Sequence, residues 1–508
     1  MEDSRTKKTI KNVQISLIYY FVSLVLNFFS RQVFIKHLGA EVLGLNTTAT
    51  SLLGMLNLAE LGIGTAIAYS LYTPLYNKDK QAICDIVSVQ GWLYRKIAYI
   101  ILGAAIVLML FFPLIFAKVD VPMWYTYATF AVLLFSGMLG YFINYKQIVL
   151  TADQKDYKVI INLKGFTIIK ILLQIVCIIF LSNGYIYWLA LEVLAAIAIS
   201  IALNKLLKKE YPWLTTSISQ GALLRKKYPD IIVKTKQLFV HKIGTFALLQ
   251  SSPIILYAFA SLTLVAIYGN YMLIITAIAT LAASLFSSMN AGVGSLVAEG
   301  NKDKIINMFW KLATFRFWLA SVFCFLFYLF ANTFISVWVG QQYILETTPF
   351  VLLAMYLFVQ QIRVCDIFLN AYGLYKDVFA PLVEAILNIG LSILFGYFWN
   401  LSGILIGVLI SQIIIVCTWK PYFLFRNGFA VSPIHYFKVY AQYLVFIAAS
   451  FVLTYILNER VLHLGNDFVA LLAKASVYIV LSLIIFVLFR KKDFVAVLNQ
   501  ILQIRKAN

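Results

Sequence analysis

The chain has 508 residues, 62% of them apolar and 12% charged, a composition far from that of water-soluble globular proteins. Its net charge of +20, from 41 Lys and Arg against 21 Asp and Glu, raises nucleic acid as a partner. The basic residues, however, stand in short clusters between long apolar runs, as anionic headgroups and insertion bias place them, and no nucleic-acid partner is expected.

From the amino terminus, apolar runs long enough to cross roughly 30 Å of hydrocarbon recur about fourteen times. They fall near 12–36, 43–74, 93–117, 124–150, 159–182, 185–206, 236–260, 263–297, 308–334, 347–371, 379–399, 402–424, 439–457 and 467–489. The first is too long for a cleavable signal and lacks a small-residue cleavage site, so it is read as helix one. The second and eighth exceed a simple crossing and are expected to tilt or project. If Met1 starts inside, the cytoplasmic segments collect most of the basic residues, including Lys7, Lys8, Lys78, Lys80, Lys208, Lys209, Arg225, Lys226, Lys227 and Arg490 to Lys492. The external side collects Arg31, Lys36, Lys118, Arg460 and Lys474. Both termini are thus expected in the cytoplasm. The five cysteines lack a CxxC spacing, so neither a disulfide framework nor a metal site is suggested.

The stretch from Lys205 to Lys236 is basic, holds Pro212 and Pro229 and separates six runs from the next six. Sliding the chain by 224 residues brings Asn46 onto Asn270, Ala59 onto Ala283, Leu61 onto Leu285, and Asn77-Lys78-Asp79-Lys80 onto Asn301-Lys302-Asp303-Lys304. The expected fold is an all-α integral membrane protein of about 14 transmembrane helices, two six-helix lobes in a parallel repeat plus two extra C-terminal helices. Its expected divisions are an N-terminal lobe (1–206), a cytoplasmic linker (207–235), a C-terminal lobe (236–425), helices 13 and 14 (426–489) and an amphipathic cytoplasmic tail (490–508). In that tail Phe494, Val497, Leu498, Ile501 and Leu502 share a face.

The run Arg31-Gln-Val-Phe-Ile-Lys-His-Leu-Gly39, then Gly44-Leu-Asn46, Leu58-Ala-Glu60-Leu-Gly-Ile-Gly64 and Leu71-Tyr-Thr-Pro74, resembles the amino-terminal signature of bacterial polysaccharide transporters. These are the Wzx-type oligosaccharide flippases of the multidrug/oligosaccharidyl-lipid/polysaccharide superfamily, which also holds cation antiporters and lipid II flippases. The resemblance implies a V-shaped, two-lobed bundle in the bacterial inner membrane, a transporter and not an enzyme. It implies translocation of an undecaprenyl-diphosphate-linked oligosaccharide to the outer leaflet for capsule, O-antigen or exopolysaccharide assembly, beside glycan polymerase or glycosyltransferase partners. No cofactor is expected beyond a proton or sodium as coupling ion.

Ionisable groups in membrane helices are costly, so they should face protein or water and usually have a task. Tyr20, Asn27 and Arg31 share a face of helix 1, where Arg31 either meets substrate phosphate or snorkels to headgroups. Asn46, Thr50, Asn57, Glu60 and Gly64 form a polar stripe on helix 2. There Glu60 either binds a coupling ion or neutralises Arg31, and its repeat counterpart is Ser284, as Arg31's is Ile255. Helix 10 carries Tyr356, Gln360, Arg363, Asp366 and Asn370. Arg363 is either an intrahelical partner of Asp366 or a diphosphate ligand with Asp366 holding it, and Asp366 is the second coupling-ion candidate. Lys164 and Lys170 in helix 5, and His241, Lys242, Thr245 and Gln250 in helix 7, are a candidate cationic lining or a boundary marker. Glu192 and Glu384 are single carboxyls, structural or coupling. The cationic set Arg31, Arg363, Lys170 and Lys242 favours an anionic substrate over the cations of a multidrug antiporter. No Walker loop or HExxH is present, and the short external loops count against a glycan polymerase.

Overall fold

The computed structural model describes residues 5–507 except 61, 118–120, 373, 375–378, 464 and 466, and leaves out the side chains of several helical segments, including 240–250. The described residues form helices without strands, because a chain crossing hydrocarbon must satisfy its backbone groups within each segment. The helices are α1 (Arg5–Leu38), α2 (Ala40–Leu56), α3 (Ile63–Tyr76), α4 (Lys80–Leu110), α5 (Met123–Phe142), α6 (Asp156–Phe180) and α7 (Gly184–Glu210). There follow α8 (Pro229–Phe259), α9 (Leu262–Glu299), α10 (Lys302–Trp338), α11 (Thr347–Gln361), α12 (Val364–Ala371), α13 (Phe379–Gln412), α14 (Ile434–Leu457) and α15 (Phe468–Ala507).

Eleven segments of the described residues are long and apolar enough to span a membrane. One of them, Phe379–Gly428, holds two crossings, because α13 breaks at Trp399 and at Asn400, whose φ is 46°. Adding α8 and the broken pair α2 and α3 recovers the fourteen crossings read from sequence, in an all-α integral membrane protein.

The 224-residue period recurs in the helices themselves. Arg5–Leu38 corresponds to Pro229–Phe259, Ala40–Tyr76 to Leu262–Glu299, Lys80–Leu110 to Lys302–Trp338, and Met123–Phe142 to α11 with α12. Asp156–Phe180 and Gly184–Glu210 correspond to the two limbs of α13 and its continuation to 428, while α14 and α15 stand outside the repeat. The shared Asn-Lys-Asp-Lys tetrad opens α4 and α10, where Asp79 accepts from Ala82 N in one and Asn301 from Lys304 N in the other. Side-chain oxygens there satisfy the free amides of the helix start.

By packing, the chain divides into Met1–Ala266 and Ile267–Asn508. This division falls one helix beyond the 207–235 stretch, because α8 packs on α2 and α3. Gly44 lets the start of α9 approach α2 closely, since a Cβ there would lie 1.9 Å from the Leu262 carbonyl oxygen. Around it Leu45, Ala49, Leu52, Leu53 and Leu262 form a buried cluster with Ile254 and Tyr257 against its edge, and the Tyr257 hydroxyl donates to Ile115 O at 2.9 Å.

Residues 211–228 lie against the first unit. Ser217 N donates to Ser88 Oγ at 3.0 Å, and Lys227 Nζ and Tyr228 Oη reach Asp85 Oδ2 at 2.8 and 3.2 Å. Tyr211 Oη donates to Asp153 Oδ2 at 2.7 Å. Burial, then Asp153 and Glu210, raise that hydroxyl's pKa well above its ordinary value, so it stays a donor at working pH.

In the second unit the limbs of α13 pack through glycines. A Cβ on Gly403 would lie 1.9 Å from Phe395 O, and one on Gly407 2.4 Å from Ser392 N. Small residues let backbones approach where lipid offers no hydrophobic drive. Gly407→Leu should therefore abolish accumulation of folded protein in the membrane, whereas Ile414→Leu, at a half-exposed position, should leave it unchanged; fluorescence-detected size exclusion reads both. The tail bends at Arg490 (φ −135°, ψ 35°), and buried Phe494 packs on Phe315 and Trp318 at ring distances of 5.8 and 5.2 Å.

Candidate functional site: two broken helices

Each unit interrupts one membrane helix, and each interruption carries charge. In the first unit α2 ends in a 3-10 turn, Asn57–Glu60, after which Gly62 takes φ 96° before α3 resumes. That left-handed conformation is one a side chain resists and glycine accepts. The turn aims Glu60 at two tyrosines: Oε1 accepts from Tyr94 Oη at 2.8 Å and Oε2 from Tyr141 Oη at 2.9 Å. Tyr141 Oη also reaches Asn57 Oδ1 at 3.1 Å, and the two tyrosine rings stand edge to face, 5.4 Å apart. Gln90, also on α4, is buried with its Oε1 unpartnered. Both oxygens of Glu60 thus accept from tyrosine hydroxyls.

The Arg31 guanidinium donates through Nη2 to Ala266 O at 2.9 Å, so it fastens the first turns of α9 to α1. Asn27 is exposed. Lys170 is bound at both oxygens of Glu192, at 2.7 and 2.9 Å, with Gln174 Nε2 adding 3.0 Å to Oε1. The two single groups of α6 and α7 thus form one ion pair within the first unit. Breaking one half of such a part-buried pair strands the other. Lys170→Met should lower stability by roughly 2–3 kcal/mol while Lys170→Met with Glu192→Met recovers most of it; thermal unfolding of the purified chain measures both. The side chains of His241 and Lys242, on α8, lie outside the described residues.

In the second unit the interruption separates α11 from α12 at Ile362 and Arg363, where Arg363 takes ψ 54° and Val364 N turns back to Ile362 O at 2.7 Å. Arg363 thus stands at the break, and Asp366 in the first turn beyond it. Arg363 Nε donates to Asp366 Oδ2 at 2.9 Å and Nη1 to Gln360 Oε1 at 3.4 Å. Two further cations, not singled out from sequence, join them. Lys420 Nζ donates to Asp366 Oδ1 at 2.7 Å, and Arg316 Nη1 to the Arg363 carbonyl at 3.2 Å. Glu384, 3% exposed with Oε1 unpartnered, lies within electrostatic range of Arg363, Lys420 and Asp366. An aromatic cluster fixes the frame: Phe309 of α10 meets Phe368, Phe425 and Phe429 at ring distances of 5.3, 5.2 and 5.4 Å. Three cations thus stand here against two carboxyls.

The fold is all-α, with the helices of residues 5–210 recurring at a 224-residue period. Over 94% of this chain and 99% of the other it is similar to the lipid II flippase MurJ in an inward closed conformation, with a TM-score of 0.65 and 15% identity. Multidrug resistance transporters of the MATE family of the MOP superfamily share it less fully. An inward-facing one has a TM-score of 0.56 over 78% of this chain and 93% of its own, and an outward-facing one 0.51 over 82% and 94%, each at 15% identity. No protein-family model and no curated protein matches the sequence.

Proposed function

We propose that the chain is a flippase that carries an undecaprenyl-diphosphate-linked oligosaccharide across the bacterial inner membrane by alternating access, with both termini cytoplasmic. The observation that carries this reading is the cationic break of the second unit, where Arg316, Arg363 and Lys420 converge within a membrane-spanning bundle. A substrate with a compact, multiply charged anion suits it, and an amphiphilic cation does not. Supporting it, the flippase likeness extends over 94% of the chain, whereas the inward-facing multidrug transporter covers 78%. Arg31 is a further candidate ligand, and a proton or sodium at Glu60 is the proposed coupling ion. Protein in vesicles carrying a fluorescent polyprenyl-diphosphate oligosaccharide in both leaflets tests the reading. Flipping that is competed by unlabelled substrate and not by cationic dyes is expected; export of the dyes without lipid flipping would overturn it. Lipid II in the same assay separates the second reading, favoured by the likeness to its flippase, because the two substrates share the diphosphate and differ in the glycan.

A further inference from the structure

Asp366 bridges two cations that lie far apart in sequence. One oxygen accepts from Arg363 and the other from Lys420, so a single carboxylate occupies the space where two donors converge. Arg316, through the Arg363 carbonyl, adds a third positive group. From the surrounding elements Tyr356 and Gln360 of α11 and Glu384 of α13 face the same groups. The trio is not sealed. Side-chain exposure is 18% for Arg363, 30% for Asp366 and 15% for Lys420, and among the described residues Arg363 Nη2 makes no hydrogen bond.

We propose that this is an anion-exchange site in which Asp366 is the resident counter-anion, replaced on Arg363 and Lys420 by the diphosphate of the lipid-linked substrate. The inference rests on the flippase reading and adds the group that lets the substrate leave. Bare cations in a low-dielectric bundle are unstable, and a site of bare cations would hold a diphosphate too tightly to turn over. An internal carboxylate on the same donors removes both difficulties: it neutralises them when substrate is absent, and it competes for them when substrate is present. The diphosphate wins on charge and on its larger number of acceptor oxygens, while re-pairing with Asp366 offsets the cost of its departure. Specificity follows too, because a monoanionic headgroup gains little over the carboxylate it must displace.

The test measures binding of inorganic pyrophosphate to the full chain in detergent at fixed ionic strength. Asp366→Asn, which keeps the shape and removes the charge, should bind pyrophosphate at least about tenfold more tightly than wild type and release it more slowly. Arg363→Gln should bind it about tenfold or more weakly. Added formate, a free carboxylate, should weaken pyrophosphate binding to Asp366→Asn back toward wild type, a competition that a merely distorted site would not show. Asp366→Ala serves in the same way if the asparagine variant does not accumulate. Neutral variants that bind no tighter than wild type, while Arg363→Gln still weakens binding, would overturn the exchange and leave the flippase reading standing. Pyrophosphate binding indifferent to Arg363 and Asp366 alike would overturn both.

Discussion

Arg363→Ala should cut flipping of a polyprenyl-diphosphate substrate by about ten- to a hundredfold, the equivalent of one or two charge-assisted hydrogen bonds worth roughly 1.5–3 kcal/mol. Membrane abundance should stay near wild type, because Asp366 keeps Lys420 as its partner when the guanidinium is removed. Arg363→Lys should recover part of the rate: an ammonium restores the charge but cannot hold Asp366 and Gln360 from one planar fork as the guanidinium does. Rates are read in reconstituted vesicles and abundance by immunoblot. Full activity in the alanine variant at normal abundance would reduce the second break to a structural joint.

The other large effect is expected at Glu60. If this carboxyl carries the coupling ion, an imposed pH or sodium gradient speeds flipping by wild type, since one pH unit is worth about 1.4 kcal/mol per proton moved. Glu60→Gln should flip at the same rate with or without a gradient. The substitution leaves the neighbourhood intact: the amide oxygen still accepts from one tyrosine, and the hydroxyl of the other can turn and accept from the amide nitrogen. Tyr94→Phe and Tyr141→Phe each remove one donor and should weaken the gradient response without eliminating it. A gradient response in Glu60→Gln equal to that of wild type would remove this residue from coupling.

The architecture was legible because it rests on composition and period. Lipid demands long apolar runs, and duplication left the Asn-Lys-Asp-Lys tetrad at the start of both α4 and α10. The first break was half legible, since Asn57, Glu60 and Gly64 interrupt an apolar run, although the left-handed turn uses Gly62. The second break was not, for neither proline nor glycine stands between Phe350 and Tyr372, and only the packing about Phe309 and the pull of Arg316 on the Arg363 carbonyl mark it. Arg316 and Lys420 were overlooked for a related reason. Arg316 has only Lys311 for a charged neighbour in its apolar run and Lys420 has none, and Lys420 meets Asp366 only through the fold, 54 positions away. Lys170 and Glu192 were read as separate groups because nothing in their spacing says that α6 and α7 bring them together.

The seam of the duplication and the seam of the packing are offset by one helix, since α8 opens the second repeat yet packs on α2 and α3 in the first unit. This has a consequence in time. A growing chain released only as far as the end of α7 has all six crossings of the first repeat but leaves the α2 and α3 face uncovered. Domains assemble in order of synthesis, so the first unit cannot close until Leu262, the residue pressed on Gly44, has left the ribosome. The start of the second repeat is therefore the last piece of the first half to be built.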